Sequence, residues 1–269
     1  MELKKLLVVH DPTREEQPAL ELAAGISVDT GASLHLFGCI HEDVSGADYE
    51  TDAVKQLLGE HKAKLDALLA PLAERGISTS SEVDWDNDWH HAIVRAAARD
   101  LADMVFKASF KRPERRVLKS TGDSILLREC LCPVLLIKNG ERPAQPKILA
   151  AIDIQAKAPP YEKLNQHVIG FSRRAVESAQ AEVHVVNAFQ DFRFVPDRQQ
   201  IVELAGVNSD HVHIMSGAPE KVIVDIAKKI DAGLVVVGNS HRSGLAALLH
   251  GNTAEKILDK LTCNVLAIP

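Results

Sequence analysis

Four stretches of this sequence recur, in the same order, about half a chain later. LLVVHD (6–11) matches ILAAID (148–153) at a spacing of 142, and GASLHLFGCI (31–40) matches QAEVHVVNAF (180–189) at 149, with His35 over His184. HHAIVRAAARDLADMVFKA (90–108) matches EKVIVDIAKKIDAGLVVVG (220–238) at 130, and CPVLLI (132–137) matches CNVLAI (263–268) at 131. An ordered repeat of this length means one folding scheme used twice. The 269 residues suffice for two modest domains, each with a core of its own.

The changing offset locates the insertions. Its rise from 142 to 149 predicts a longer segment after the first strand of the second copy, and its fall to 130 gives the first copy 19 extra residues between its second and third apolar runs. Those extra residues include 51–75, where Val54, Leu57, Leu58, Leu65, Leu68 and Leu69 recur at helical spacing. Between the copies, KNGERPAQPK (138–147) gathers an Asn-Gly pair, Pro143 and Pro146, so the expected domains are 1–140 and 146–269.

In the second copy, apolar runs at 148–152, 183–186, 211–214, 234–237 and 265–268 alternate with amphipathic helical patterns. Three of the runs are nearly continuous Val, Leu and Ile, as expected of parallel strands covered on both faces. From Pro219, the residues Val222, Ile223, Ile226, Ala227 and Ile230 share one helix face, with Glu220, Lys228 and Lys229 on the other. The expected fold class is α/β: two tandem doubly wound parallel sheets of about five strands each, with ligands beyond the carboxyl ends of the strands.

Charge and composition narrow the function. A net charge of −6 argues against a nucleic-acid partner, which needs a clustered basic excess. No apolar run approaches the roughly 18 residues of a membrane span, and MELKKLLVVHDP does not resemble a signal peptide, so a cytoplasmic protein is expected. Cys39, Cys130, Cys132 and Cys263 are too few and too scattered for a disulfide framework or a paired zinc motif, and read as buried thiols.

The stretch LVVVGNSHRSGLAALLHGNTAEKIL (234–258) bears most on a ligand. Gly238 closes an apolar strand at the carboxyl edge, and Gly251, Asn252 and Thr253 open a helical pattern. Glycines and a helix start can present backbone N–H groups to an anion, and Arg242 would add a cation. Turns and caps alone explain the same residues, since Asn252 followed by Glu255 is a capping-box pattern.

The doubled strand–helix order, each copy beginning with an apolar strand that ends in Asp, and the second ending in VVVGNSHRSGLAALLHGNTAEKIL followed by NVLAI, resembles a tandem universal stress protein over essentially the whole chain. The resemblance implies an adenine nucleotide alpha hydrolase-like fold, with the two domains packed about a pseudo-twofold axis. Members that bind ATP carry G-x-x-G, nine residues, then G and Ser or Thr after the fourth strand. Gly238 and Gly251 fit the first and third glycines, whereas His241 replaces the second and Asn252 stands where Ser or Thr is usual, with Thr253 one residue later. The resemblance further implies that Asp153 fixes the adenosine and that the Ala188 backbone meets adenine.

In the first copy Ala108 takes the place of Gly238, and Ser120 and Thr121 take those of Gly251 and Asn252, so no ATP is expected there. A basic cluster of Lys107, Lys111, Arg112, Arg115 and Arg116 reads as a solvated loop face, or as a lure for an anionic partner.

Catalytic motifs are missing: there is no Walker A, GxSxG, GxGxxG or HExxH, and DIQAKAPP (153–160) lacks the SGGxDS loop of related nucleotide hydrolases and ligases. His90 with His91, and His211 with His213 on one strand face, invite a metal, but neither pair has a third ligand at convincing spacing, so no metal is firmly predicted. The expectation is a non-catalytic stress-response protein binding ATP or another adenine nucleotide in its second domain. The resemblance also implies an intramolecular pseudo-dimer through residues 134–137 and 265–268, which would protect the sheet edges, with a homodimer as a further option. A slow ATPase, and a nucleotide-independent interaction protein or binder of another small or amphiphilic ligand, are the alternatives.

Overall fold

The structure is a computed structural model that describes residues 3–41, 51–109, 122–138, 140, 145–156, 158–239 and 253–269. The chain divides into two compact units, Met1–Gly140 and Glu141–Pro269.

In the first unit the elements are β1 (Lys5–Val9), α1 (Pro18–Thr30), β2 (Ser33–Ile40), α2 (Asp52–Glu74), β3 (Thr79–Trp85), α3 (Trp89–Arg99), β4 (Met104–Ala108), α4 (Gly122–Glu129) and β5 (Val134–Ile137). The strands lie in the order β3-β2-β1-β4-β5, each paired parallel to its neighbours within the unit. The second unit repeats the scheme with β6 (Lys147–Ile152), α5 (Pro159–Ala179), β7 (Glu182–Phe189), α6 (Arg198–Ala205), β8 (Val212–Ser216), α7 (Pro219–Ile230), β9 (Leu234–Gly238), α8 (Thr253–Leu258) and β10 (Asn264–Ile268). Its order is β8-β7-β6-β9-β10, again parallel. Each of the five apolar runs expected of the second copy is a strand.

Register carries the duplication down to single residues. Leu7 faces His35 and Val105 across β1, and Leu149 faces His184 and Val235 across β6. These are the pairs that the spacings 142, 149 and 130 connect.

Parallel strands need crossovers, and here the helices supply them. Winding runs outward from β6 through α5 and α6, then crosses back through α7 to β9. With right-handed connections this reversal puts α5 and α6 on one face and α7 and α8 on the other. The central strands are therefore buried on both sides: Leu149 and Ala150 have no exposure, nor do Val235 and Val236.

The insertions are helix extensions. Helix α5 has 21 residues against 13 in α1, and α2 has 23 against eight in α6. Of the apolar stripe expected on α2, Val54, Leu65 and Leu69 are buried, whereas Leu57, Leu58 and Leu68 are only half-buried. The long helix thus commits a narrow seam to the sheet. Helix α7 starts at Pro219, where a missing N–H costs nothing, and ends with Lys228 and Lys229 near its carbonyl terminus. It buries Val222, Ile223, Val224 and Ile226, each worth about 1.5–3 kcal/mol.

Helix caps differ in residue between the copies. Helix α1 ends on Gly31 at φ 74°, and its counterpart α5 ends on Gln180 at φ 49°. Both positions are left-handed, a conformation in which only glycine avoids a Cβ penalty.

Candidate functional site

Strand order reverses direction at β6 and β9, and the carboxyl end of such a reversal is where open α/β sheets take ligands. Asp153 stands there, immediately after β6, with its side chain exposed. Its backbone is clamped by Asn165 of α5: Asp153 N–H donates to Asn165 Oδ1 at 3.0 Å, and Asn165 Nδ2 donates to the Asp153 carbonyl at 2.7 Å. Asp153 Oδ1 accepts the Gln155 N–H at 3.0 Å, forming a turn. Asn187 of β7, wholly buried, accepts the Ile154 N–H at 3.0 Å. The loop is thus held from two elements and presents a carboxylate on a fixed backbone. Ala188, next along β7, pairs with Met215 of β8 at the same end of the sheet.

Gly238 has a use that the sequence did not reveal. It is a strand residue paired with Ile268, and a Cβ added to it would stand 3.3 Å from Leu164 Cβ of α5. Its missing side chain therefore lets helix α5 close onto β9, instead of turning the chain. Asn239 follows, buried, with its N–H donating to the Ile268 carbonyl at 2.7 Å. Thr253 is half-buried at the first residue of α8. Arg242, Gly251, Asn252 and His241 lie outside the described residues, so the structure brings together Asp153, Ala188 and Gly238 of the expected set.

The first unit builds the same edge with different residues. Gln17 clamps the Asp11 loop as Asn165 clamps Asp153: Asp11 N–H donates to Gln17 Oε1 at 3.0 Å, and Gln17 Nε2 donates to the Asp11 carbonyl at 2.9 Å. Partial burial opposes ionisation of Asp11, but hydrogen bonds from Thr13 outweigh it, helped by the Lys107 and Arg14 charges, and hold the carboxyl below its usual range. Lys107, grouped by sequence with a solvated basic loop, is largely buried instead: it pairs with Asp123 at 2.8 Å, donates to the Ala108 carbonyl and lies 5.3 Å from the centre of the Trp89 ring. Its charge is already neutralised within the unit. Lys111, Arg112, Arg115, Arg116, Ser120 and Thr121 fall outside the described residues.

His90 and His91 take separate partners. His90 packs at a tilt against Trp89, and burial pushes its imidazole pKa down. His91 pairs with Asp88, the N-cap of α3, at 2.6 Å, and that hydrogen bond holds its pKa up. Burial pushes the thiols of Cys39 and Cys130 up to about 12 and that of Cys132 to about 11, as inert structural cysteines require.

The amide clamps are the part of the site that sequence reasoning missed. Gln17 lies six residues after Asp11 and Asn165 twelve after Asp153, so neither type nor spacing repeats. Also missed is a small cavity of about 90 Å³ at the opposite, amino edge of the first unit, where His35 meets Ser33, Ser80 and Asp100. The one sequence signal for it was His35 aligning with His184.

With this geometry in place, comparison with known proteins is decisive. The profile of the Universal stress protein family matches twice, over residues 2–138 and 148–269. The chain belongs to the universal stress protein family. It carries two such domains in tandem. It is 27% identical to the universal stress protein E homolog of Haemophilus influenzae, across 100% of this chain and 98% of that protein. To universal stress protein E of Escherichia coli K12 it is 26% identical, across 98% and 93%. Among solved structures, a functionally unknown protein from Pseudomonas aeruginosa PAO1 matches with a TM-score of 0.76 at 28% identity, covering 99% of this chain and 92% of that one. A universal stress protein from Archaeoglobus fulgidus shares the fold, with a TM-score of 0.73 at 18% identity over 98% and 95% of the two chains. Among the described residues, no helix is long and apolar enough to cross a membrane.

Proposed function

We propose that this tandem universal stress protein is a non-catalytic stress-response protein that binds ATP or another adenine nucleotide in its second domain. The observation that carries the reading is the exposed Asp153 carboxylate on a doubly braced loop at the strand-order reversal, where open α/β sheets take ligands. Asp153 accepts hydrogen bonds from the ribose hydroxyls, the Ala188 backbone borders adenine, and Arg242 with the Gly251–Asn252–Thr253 segment meets the phosphates. Gly238 acts indirectly, by seating α5 against β9. The equivalent edge of the first domain has Lys107 paired with Asp123, which favours a single nucleotide per chain. The two domains serve as an intramolecular pseudo-dimer in this reading.

Calorimetric titration with ATP, ADP and AMP tests it, with Gly251→Asp as the control because that charge repels phosphate. Gly238→Asp is a poor control, since its side chain would strike Leu164. One binding event per chain, lost in Gly251→Asp, is expected; turnover of ATP that the same substitution abolishes would instead mark a slow ATPase.

A second reading has its own observation. Phe192, Phe194 and Val195 are exposed beyond the carboxyl end of β7, Met215 is exposed near the end of β8, and Gln155 of the Asp153 loop donates to the Phe194 carbonyl. Such a patch suits a protein partner or an amphiphilic ligand. Absence of heat and of any thermal shift with all three nucleotides would favour that function.

A further inference from the structure

The amino edge of the second domain's sheet gathers imidazoles that the nucleotide reading does not use. Register pairs Val185 with Val212, which sets His184 of β7 beside His211, the residue before β8, on the same sheet face as Glu182 and His213. His184 is buried, with 9% of its side chain exposed, while Glu182 and His211 are half-buried. The neighbouring strand thus brings His184 and Glu182 to His211, while His213 sits behind His184.

We propose that Glu182, His184 and His211 form a binding site for a divalent zinc ion. One donor atom from each lies within 4.8 Å of the other two. Zinc ligands about 2.0–2.1 Å from the metal at tetrahedral angles stand about 3.3 Å apart, so small side-chain rotations bring the three donors onto one ion. Two imidazoles and one carboxylate make a borderline-soft N/O set suited to zinc, with a fourth position left for water.

The orientation of the rings supports the assignment. His211 Nδ1 donates to the Val183 carbonyl at 3.2 Å, which leaves its Nε2 lone pair for the metal. His184 Nδ1 lies 3.1 Å from His213 Nε2, and its Nε2 lies 2.7 Å from Glu182 Oε1. With zinc on His184 Nε2, the neutral ring carries its one proton on Nδ1 and donates it to His213 Nε2, which serves as the positioning residue behind the ligand. Glu182 then ligates the ion in place of pairing with His184 Nε2.

The first domain has a different set in the corresponding places: Ser33, His35, Ser80 and Glu82. There His35 Nδ1 pairs with Ser80 Oγ at 2.8 Å, and Arg99 reaches both Glu82 oxygens at 2.6 and 2.5 Å. His35, Glu82 and Asp100 also bring one donor atom each within 4.8 Å of the others, but a guanidinium already occupies the Glu82 carboxylate, so the site is assigned to the second domain.

Zinc titration of the chelator-treated full chain against a competing metal dye tests the proposal, with cobalt substitution as a spectroscopic check. Wild type is expected to bind one zinc that Glu182→Gln, His184→Gln or His211→Gln each weaken by more than about 100-fold. His213→Ala weakens it by about 10–100-fold, and His35→Ala leaves it unchanged. Bound cobalt should show the visible bands of a tetrahedral N/O site without a thiolate band. Glu182→Gln changes a half-exposed side chain and preserves its shape, so it reports on the metal even if a histidine variant folds poorly. The proposal is overturned if wild type binds no zinc, or if Glu182→Gln and a His184→Gln/His211→Gln double variant bind it as wild type does.

Discussion

A methyl group on Gly238 would press against Leu164 Cβ at 3.3 Å, an atom anchored to the helix backbone that cannot swing aside. Gly238→Ala should therefore destabilise the protein by about 1–3 kcal/mol, as overpacking does, and lower its urea midpoint without changing the slope. An unchanged midpoint would mean that α5 shifts freely. Cysteine chemistry gives a second prediction at this scale. With thiols pushed up to about 12 and 11, Cys39, Cys130 and Cys132 hold little thiolate at pH 8, so alkylation of the native protein should be far slower than in denaturant. Mass spectrometry of timed reactions reads this directly, and rapid native labelling at any of the three would refute it.

Secondary elements show how the two copies diverged under one plan. Helix α5 ends on Gln180 in the left-handed region, where its counterpart α1 has Gly31. Gln180→Gly should stabilise the chain by about 1 kcal/mol, visible as a raised melting temperature. Removing a brace works the other way. Asn187→Ala strips the buried partner of the Ile154 N–H and should cost about 1–3 kcal/mol while weakening any nucleotide bound beside Asp153. The strands were legible in sequence because continuous apolar runs have one good solution, burial between two helical layers. The braces were not, because a side-chain amide reaching back to a loop leaves no periodicity, and Gln17 and Asn165 do the same work from different spacings. Gly238 was legible as special but not for its reason, which lies in a helix more than 70 residues earlier in the chain.

Across the whole molecule, the two copies furnish the same strand-end edge with different residues. The first domain has Asp11 clamped by Gln17 and pairs Lys107 with Asp123, where the second has Asp153 clamped by Asn165. Acid should weaken the protein as a unit. Burial lowers His10, His90 and His213, the last to about 4, below the value near 6.5 that each regains on unfolding. Between those values the unfolded chain binds more protons, so their contribution is complete above pH 6.5 and lost as pH falls. His91, held high by Asp88, acts in the opposite sense but is exposed and screened. Melting temperature should drop from pH 7.5 to pH 5, with a shallower slope in His10→Gln; a flat profile would contradict this. The central claim, one nucleotide seat in the second domain only, is tested most directly by ATP calorimetry on Asp153→Ala beside Asp11→Ala. The account predicts that one site per chain disappears with Asp153→Ala and survives Asp11→Ala. Loss with Asp11→Ala, or binding untouched by Asp153→Ala, would contradict it.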